Sequence, residues 1–298
     1  MAPSSVAAGG GAEGRVAPRN GLGMLCVLGA FACFTLMDAM AKGLSRQYDP
    51  VQIVWLRYLS NTLLLVAIFA PRLHRLLPSR QPGLQIARGL MQLATVLLFF
   101  TAIQFIGLAE ATALADLNPV LVTLGAALFL GEKLGPRRLL GIAAAFCGAM
   151  IIIRPGPGVF HWASLLALGT AISFAGGMLI TRLIQKDGLI TSLLWGAIIG
   201  LIGSSLALPF VWRPISADTL LPILGLGLTG AIGQGFIVKA YSIAEASSLA
   251  PLGYTGLIFA TLWGIVFFGQ YPDLWTVTGA LVIVSAGLYV WWRENRRA

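Results

Sequence analysis

Three charged side chains fall inside long apolar runs: Asp38, Arg57 and Asp116. A charge at the centre of a bilayer costs several kcal/mol or more unless it is paired or faces a water-filled pathway. Asp38 lies about six residues before the end of the first apolar run and Arg57 about six residues into the second, so their depths match and they are expected to pair. Asp116 is the rival partner for Arg57. An ion pair that fixes helix packing and a substrate or proton site are both open readings of this trio. The uncharged candidates are mid-run amides, hydroxyls and aromatics: Gln92, Thr95, Asn118, Gln234 and Tyr254, with Trp55, Trp195 and Trp263 as possible aromatic wall. Amides and hydroxyls can hydrogen-bond an ammonium and a carboxylate, and an aromatic wall can receive an apolar or ring-bearing side chain. Pro119 and Pro251 each remove a backbone donor within a run, and broken helices near the midplane mark transporter sites.

The elements that position these residues are membrane spans. The 298 residues are 57% hydrophobic and only 10% charged, with a mean hydropathy of +0.85, whereas soluble domains carry about 25% charged residues. The apolar runs predict ten transmembrane helices, near 21–44, 51–70, 84–106, 109–130, 138–153, 162–183, 191–211, 220–241, 246–268 and 274–292. Residues 1–20, rich in Ala, Gly and Ser, are expected to form a disordered cytoplasmic tail, and 293–298 a short cytoplasmic C-terminus. If the N-terminus is inside, the cytoplasmic gaps hold Arg15, Arg19, Arg72, Arg75, Arg80, Arg88, Lys133, Arg137, Arg138, Arg182, Lys186, Lys239, Arg293, Arg296 and Arg297. That is fifteen, against four in the outer gaps: Lys42, Arg46, Arg154 and Arg213. The bias places both termini in the cytoplasm, and the net charge of +9 is a topology signal rather than a nucleic-acid patch.

The chain repeats itself. A shift of 140 carries Phe34 onto Phe174, Lys42 onto Arg182 and Trp55 onto Trp195. Shifts of 135 and then 138 carry Ala109 Glu110 Ala111 onto Ala244 Glu245 Ala246, Gly131 onto Gly269 and Gly141 onto Gly279. Asp38 and Arg57 meet Met178 and Ala197 in this register, so both expected partners are absent together from the second copy. Five helices per copy is odd, so the second copy, 162–292, enters the membrane upside down relative to the first, 21–154. The Arg154 Pro155 Gly156 Pro157 Gly158 run marks the boundary.

Ala109 Glu110 Ala111, Asn118 Pro119, the Phe129 Leu130 Gly131 Glu132 Lys133 turn, and Gly141 with Gly148 resemble the EamA domains of the drug/metabolite transporter superfamily. The resemblance implies an all-α integral membrane protein of ten helices built as two inverted five-helix EamA repeats, usually an exporter of small metabolites. Within that superfamily the chain is similar to bacterial aromatic amino-acid exporters of the YddG type. The second copy departs at Gly269 Gln270, where the first has Gly131 Glu132, and at Tyr254, where the first has Pro119.

No cofactor or metal is called for, because there is no Walker lysine loop, no HExxH and no paired Cys/His spacing, and Cys26, Cys33 and Cys147 sit in apolar runs as packing residues. Gly225 to Gly230 resembles a dinucleotide loop but lies within a span, where small residues allow close helix packing. Glu110, Glu132, Lys133 and Glu245 are expected to cap or bridge helix ends. The expected function is inner-membrane export of neutral, mostly hydrophobic or aromatic amino acids by a secondary transporter whose partners are a small-molecule substrate and the bilayer. Uptake or exchange of a vitamin or nucleotide-like metabolite is the alternative. A membrane enzyme acting on lipid is more remote, since His74 and His161 fall on opposite sides of the membrane.

Overall fold

The computed structural model describes residues 20–295 apart from 132–134, 157–159, 185–186 and 245. The expected tail, the Glu132 Lys133 turn, Lys186, Glu245, and the last three residues therefore lie outside the described residues. The chain runs α1 (Asn20–Leu44), α2 (Pro50–Phe69), the short α3 (Leu73–Leu76), α4 (Pro82–Phe105), α5 (Leu108–Ala115), α6 (Asn118–Leu130) and α7 (Pro136–Ile153). The second repeat runs α8 (Ala163–Leu183), α9 (Leu189–Ala207), α10 (Leu220–Ile243), α11 (Ala246–Leu249), a 3₁₀ stretch (Ala250–Tyr254), α12 (Thr255–Phe268) and α13 (Leu274–Asn295). Among the described residues, nine segments are long and apolar enough to cross a membrane, and a shorter apolar helix, Arg138–Ile153, supplies the tenth crossing.

The sequence shows why the helices begin and end here. Asp49 caps α2 by accepting from the Val51 N–H at 2.9 Å, with Pro50 at the first helical position, where its missing donor costs nothing. Gly131 and Gly269, matched by the 138 shift, close α6 and α12 with φ of 71° and 62°, a left-handed turn that residues with a Cβ avoid. Pro119 cannot donate to Ala115, so one crossing breaks into α5 and α6 with Asp116 and Leu117 between them. The matching crossing in the other repeat loosens into the 3₁₀ stretch around Pro251.

Packing follows the pseudo-symmetry. α1 lies along α10 and α4 along α8, a pair of contacts that the repeat exchanges, while α2 meets α9 and α7 meets α13 across the axis. The α7–α13 contact is close enough that a Cβ added at Gly148 would stand 2.8 Å from the Gly279 carbonyl, and one at Gly279 would stand 2.6 Å from that of Gly148. Without water to drive burial, such small-residue contacts are how helices gain attraction in lipid. With ten crossings both described chain ends lie on one face, called here the terminal face; the opposite is the far face.

Candidate functional site

The broken helices and the first helix of the fold enclose a cavity of about 260 Å³ between the repeats. α1 contributes Phe31, Phe34, Thr35, Met37 and Asp38, α2 contributes Arg57, and α4 contributes Thr95, Val96 and Phe99. Thr112, Ala115 and Asp116 come from α5 and the break after it, Thr170 from α8, and Gln234, Gly253 and Gly256 from the second repeat. The break matters chemically. The Ala115 carbonyl has lost its ordinary donor because residue 119 is proline, and Ala115 lines the cavity beside Asp116. One Asp116 carboxylate oxygen and the Thr112 hydroxyl are buried there with no hydrogen-bond partner among the described residues. Buried polar atoms without partners are expensive, so each of these calls for a water, an ion or a ligand group to meet it.

Arg57 departs from the expected pair. It lines the same cavity as Asp38 and acts on that carboxylate electrostatically, yet among the described residues it forms no hydrogen-bonded ion pair with Asp38 or Asp116. Its guanidinium instead lies over the Phe100 ring, 5.6 Å from the centroid. A cation and two acids thus share one wall without neutralising each other in contact.

Of the uncharged candidates, Thr95 and Gln234 line the cavity. Gln92 instead faces α9, since a Cβ added at Gly196 would lie 2.7 Å from its Oε1. The Tyr254 hydroxyl is tucked against Gly287 of α13, and the Trp263 ring stacks on Phe267 with centroids 5.7 Å apart. Asn118 begins α6 and is not among the lining residues. The lining aromatics are Phe31, Phe34 and Phe99, which sequence reasoning passed over because a phenylalanine in an apolar run carries no mark of which way it faces.

Trp55 and Trp195 hold a different position. Trp55 donates to the Ser205 hydroxyl at 2.9 Å and Trp195 to the Leu77 carbonyl at 2.9 Å, each reaching into the other repeat. Each belongs to a polar cluster at one face. On the far face Gln52 exchanges two hydrogen bonds with the Arg213 backbone, at 2.7 and 2.9 Å, and the Tyr48 hydroxyl meets Thr219 at 2.7 Å. On the terminal face Gln85 donates to Asp187 at 2.9 Å and to Ser192 at 3.1 Å, and Ser79 also donates to Asp187. Hydrogen bonds from Ser79, from Gln85 and from the Arg80 backbone hold the Asp187 carboxyl below the usual carboxylate range. Both clusters are made at once, so neither is a gate that alternates.

The gates themselves are unequal. At the far face α5 packs on α4, α8, α12 and α13, the Leu108 N–H donates to Gln270, Ser164 donates to Glu110 at 3.0 Å, and Arg154 pairs with Asp273. The counterpart stretch, Ala246–Tyr254, meets α1, α10, α12 and α13 but, among the described residues, makes at most stray contact with α6 or α7. Among the described residues, the far face is therefore the more tightly packed of the two.

The arrangement, inverted repeats around a cavity walled by broken helices, is that of a carrier, and comparison with known proteins agrees. The family model described as the EamA-like transporter family matches residues 21–154 and again 161–292. The chain belongs to the EamA-like transporter family. Among similar proteins, the pseudopaline exporter CntI of Pseudomonas aeruginosa is 29% identical over 273 residues, covering 88% of this chain and 93% of its own. A riboflavin transporter of Rhizobium johnstonii is 36% identical over 191 residues, 63% of each chain, and an S-adenosylmethionine uptake transporter of Rickettsia felis is 24% identical over 87% of this chain and 88% of its own. A crystal structure superposes with a TM-score of 0.63 at 17% identity, over 93% of this chain and 99% of that one, which shows the shared fold. This EamA-family chain is accordingly a multi-pass membrane transporter of a small molecule, within the drug/metabolite transporter superfamily, and not an enzyme.

Proposed function

We propose that the chain exports amino-acid-like zwitterions, neutral and aromatic amino acids foremost, across the bacterial inner membrane, with both termini cytoplasmic and the repeats rocking about the central cavity. One observation carries the reading: a single guanidinium and two carboxyl groups line one cavity with no contact ion pair between them, together with three phenylalanines. Arg57 is suited to grip a substrate carboxylate in a two-pronged hydrogen bond, while Asp38, Asp116 and the Ala115 carbonyl accept from an ammonium. Phe31, Phe34 and Phe99 then receive the side chain, and rings of this kind discriminate weakly among apolar shapes, so selectivity is broad. Thr95 and Gln234 complete the polar lining. In this reading the more tightly packed far face is shut and the cavity is served from the terminal face, the side from which an exporter loads.

A second reading rests on the riboflavin transporters among the relatives. Drug-sized ligands occupy sites of roughly 300–1,000 Å³. A cavity of about 260 Å³ favours an amino acid over a flavin in this state. Ligand-induced thermal stabilisation of the purified protein decides between them, because a ligand that binds only the folded state raises the melting temperature by mass action. Phenylalanine, tryptophan or methionine is expected to stabilise the wild type and not the Arg57→Gln variant. Stabilisation by riboflavin alone would overturn the amino-acid reading.

A further inference from the structure

A second hollow, of about 590 Å³, lies between α7 and α13 and shares no residue with the central cavity. Large apolar residues, Leu140, Leu281 and Val282, line it beside the small Gly141, Ala144 and Ala286. A Cβ added at Gly141 would stand 2.7 Å from Val290 Cγ2, so the two helices close together here, while Leu140 and Leu281 stand exposed at the surface of the bundle. The Thr278 hydroxyl donates to the Leu274 carbonyl at 2.7 Å and so asks nothing of an occupant. The result is an apolar groove that opens toward lipid.

Its length and its rim say what kind of occupant it suits. From Thr278 to Tyr289 the groove follows α13 for eleven residues, roughly 16 Å at the rise of a helix. That is about half of the ~30 Å hydrocarbon core, the depth of one leaflet. Thr278, Leu281, Val282, Ser285, Ala286 and Tyr289 recur every three or four residues, and the next positions on the same stripe are Trp292 and Arg293. Tyr289 and Trp292 are exposed with ring centroids 6.4 Å apart, as amphipathic rings are at the headgroup level, and the Arg293 guanidinium lies 5.8 Å from the Trp292 ring centroid. One turn before Leu140 and Gly141 on α7 comes position 137, an arginine, in a first turn that holds no acid and where the helix dipole is positive. The segments leading into α7 and out of α13, 131–138 and 293–298, carry Lys133, Arg137, Arg138, Arg293, Arg296 and Arg297 against Glu132 and Glu294.

We infer that the α7–α13 groove is a binding site for an anionic phospholipid of the terminal-face leaflet, with one acyl chain along the groove and the phosphate at the rim beside Arg293 and the first turn of α7. Basic pockets between membrane helices recognise anionic headgroups in this way. A second copy of the chain suits the groove less well, because two-fold pairing across it would bring two basic rims together at one level of the membrane. The lipid then sits against the contact of the two repeats, where it fills the surface hollow that their close packing leaves.

The test is native mass spectrometry of the full-length protein in mild detergent, titrated with phosphatidylglycerol or with phosphatidylcholine of the same chains. Wild type should bind one phosphatidylglycerol ahead of any other lipid and prefer it to phosphatidylcholine on the order of ten-fold or more. Arg293→Gln should lower that preference on the order of five-fold, the worth of one basic residue beside an anionic headgroup. Arg72→Gln, exposed on the same face but packed with α2 and α3, should leave it unchanged. Ala144→Phe, which puts a ring into the groove, should abolish the first binding event, and Arg293→Gln decides the matter if Ala144→Phe folds poorly. Equal affinity of wild type for the two lipids, or the same loss in Arg293→Gln and Arg72→Gln, would overturn the proposal. So would a dimer that Ala144→Phe dissociates, since it would give the groove to a second copy.

Discussion

Replacing Gly148 by alanine tests the packing on which the two repeats turn. The added Cβ would stand 2.8 Å from the Gly279 carbonyl oxygen, 2.9 Å from Ile283 Cγ1 and 3.1 Å from the Ile283 backbone nitrogen. Two of these three neighbours are backbone atoms, which no rotamer change can move, so α7 and α13 must separate by several tenths of an ångström. Overpacking of this kind costs about 1–3 kcal/mol. Alanine also gains up to ~1 kcal/mol over glycine in a helix interior, which would mask part of that cost. Gly43→Ala supplies the control: it lies within α1, and a Cβ there meets nothing within 4 Å. Gly43 stands in the last turn of α1, where the propensity gain is at most that at Gly148, so a Gly148→Ala variant that melts below Gly43→Ala reports the contact. In detergent, Gly148→Ala should melt several degrees below Gly43→Ala, taking roughly 2–4 °C per kcal/mol as the upper scale for a chain of this size. The pair Gly148→Ala with Gly279→Ala should be worse than either alone, since each Cβ points at the other glycine's carbonyl. If Gly148→Ala melts at or above Gly43→Ala, the close approach of α7 and α13 is wrong, and with it the axis assigned to the repeats.

Two further outcomes are expected. Asp38→Asn and Arg57→Gln should keep folded yields near wild type, because neither removes a made ion pair, yet each should lower transport ~10-fold or more by deleting a charge-assisted contact to substrate; a collapse in yield measured by size-exclusion chromatography would restore the structural ion pair. Asp187, whose carboxyl is held low in the folded state, contributes stability that is fully present above the ordinary carboxylate pKa and fades as pH falls through its lower folded value. Wild type should therefore melt above Asp187→Asn at neutral pH and begin to converge with it only as pH falls below the ordinary carboxylate value of about 4, and a gap independent of pH would show that the Ser79 and Gln85 bonds do not depend on the charge.

Much of the architecture was legible because membrane spans and their repetition are written in hydropathy and fixed offsets. The Asp49 Pro50 turn, the Gly131 and Gly269 caps and the helix breaks at Pro119 and Pro251 each follow from a residue with a backbone restriction of its own. The cavity was legible only in part. Charged Asp38, Arg57 and Asp116 stood out because lipid has no place for them, and Thr95 and Gln234 because they are polar in mid-span. Phe31, Phe34 and Phe99 did not, since a ring toward lipid and a ring toward a cavity read alike when the helix is apolar all round. Trp55 and Trp195 were found through the repeat, but offsets along the chain could not show that their indoles reach Ser205 and Leu77 across the repeat boundary rather than a substrate. The direct Asp38–Arg57 pair failed for a related reason. Matching depth brings two charges to one level of the membrane, and the rotation of each helix decides whether they touch.

The central claim is that the charged, phenylalanine-walled cavity carries amino acids. Proteoliposomes loaded with labelled phenylalanine, tryptophan, methionine or threonine measure it most directly, in wild type and in Arg57→Gln, Asp116→Asn and Gln234→Leu variants of verified folded yield. The account predicts flux of the aromatic and apolar amino acids through the wild type, reduced in all three variants. Flux of none of these amino acids alongside flux of riboflavin or an inorganic ion, or undiminished flux in all three variants, would contradict it.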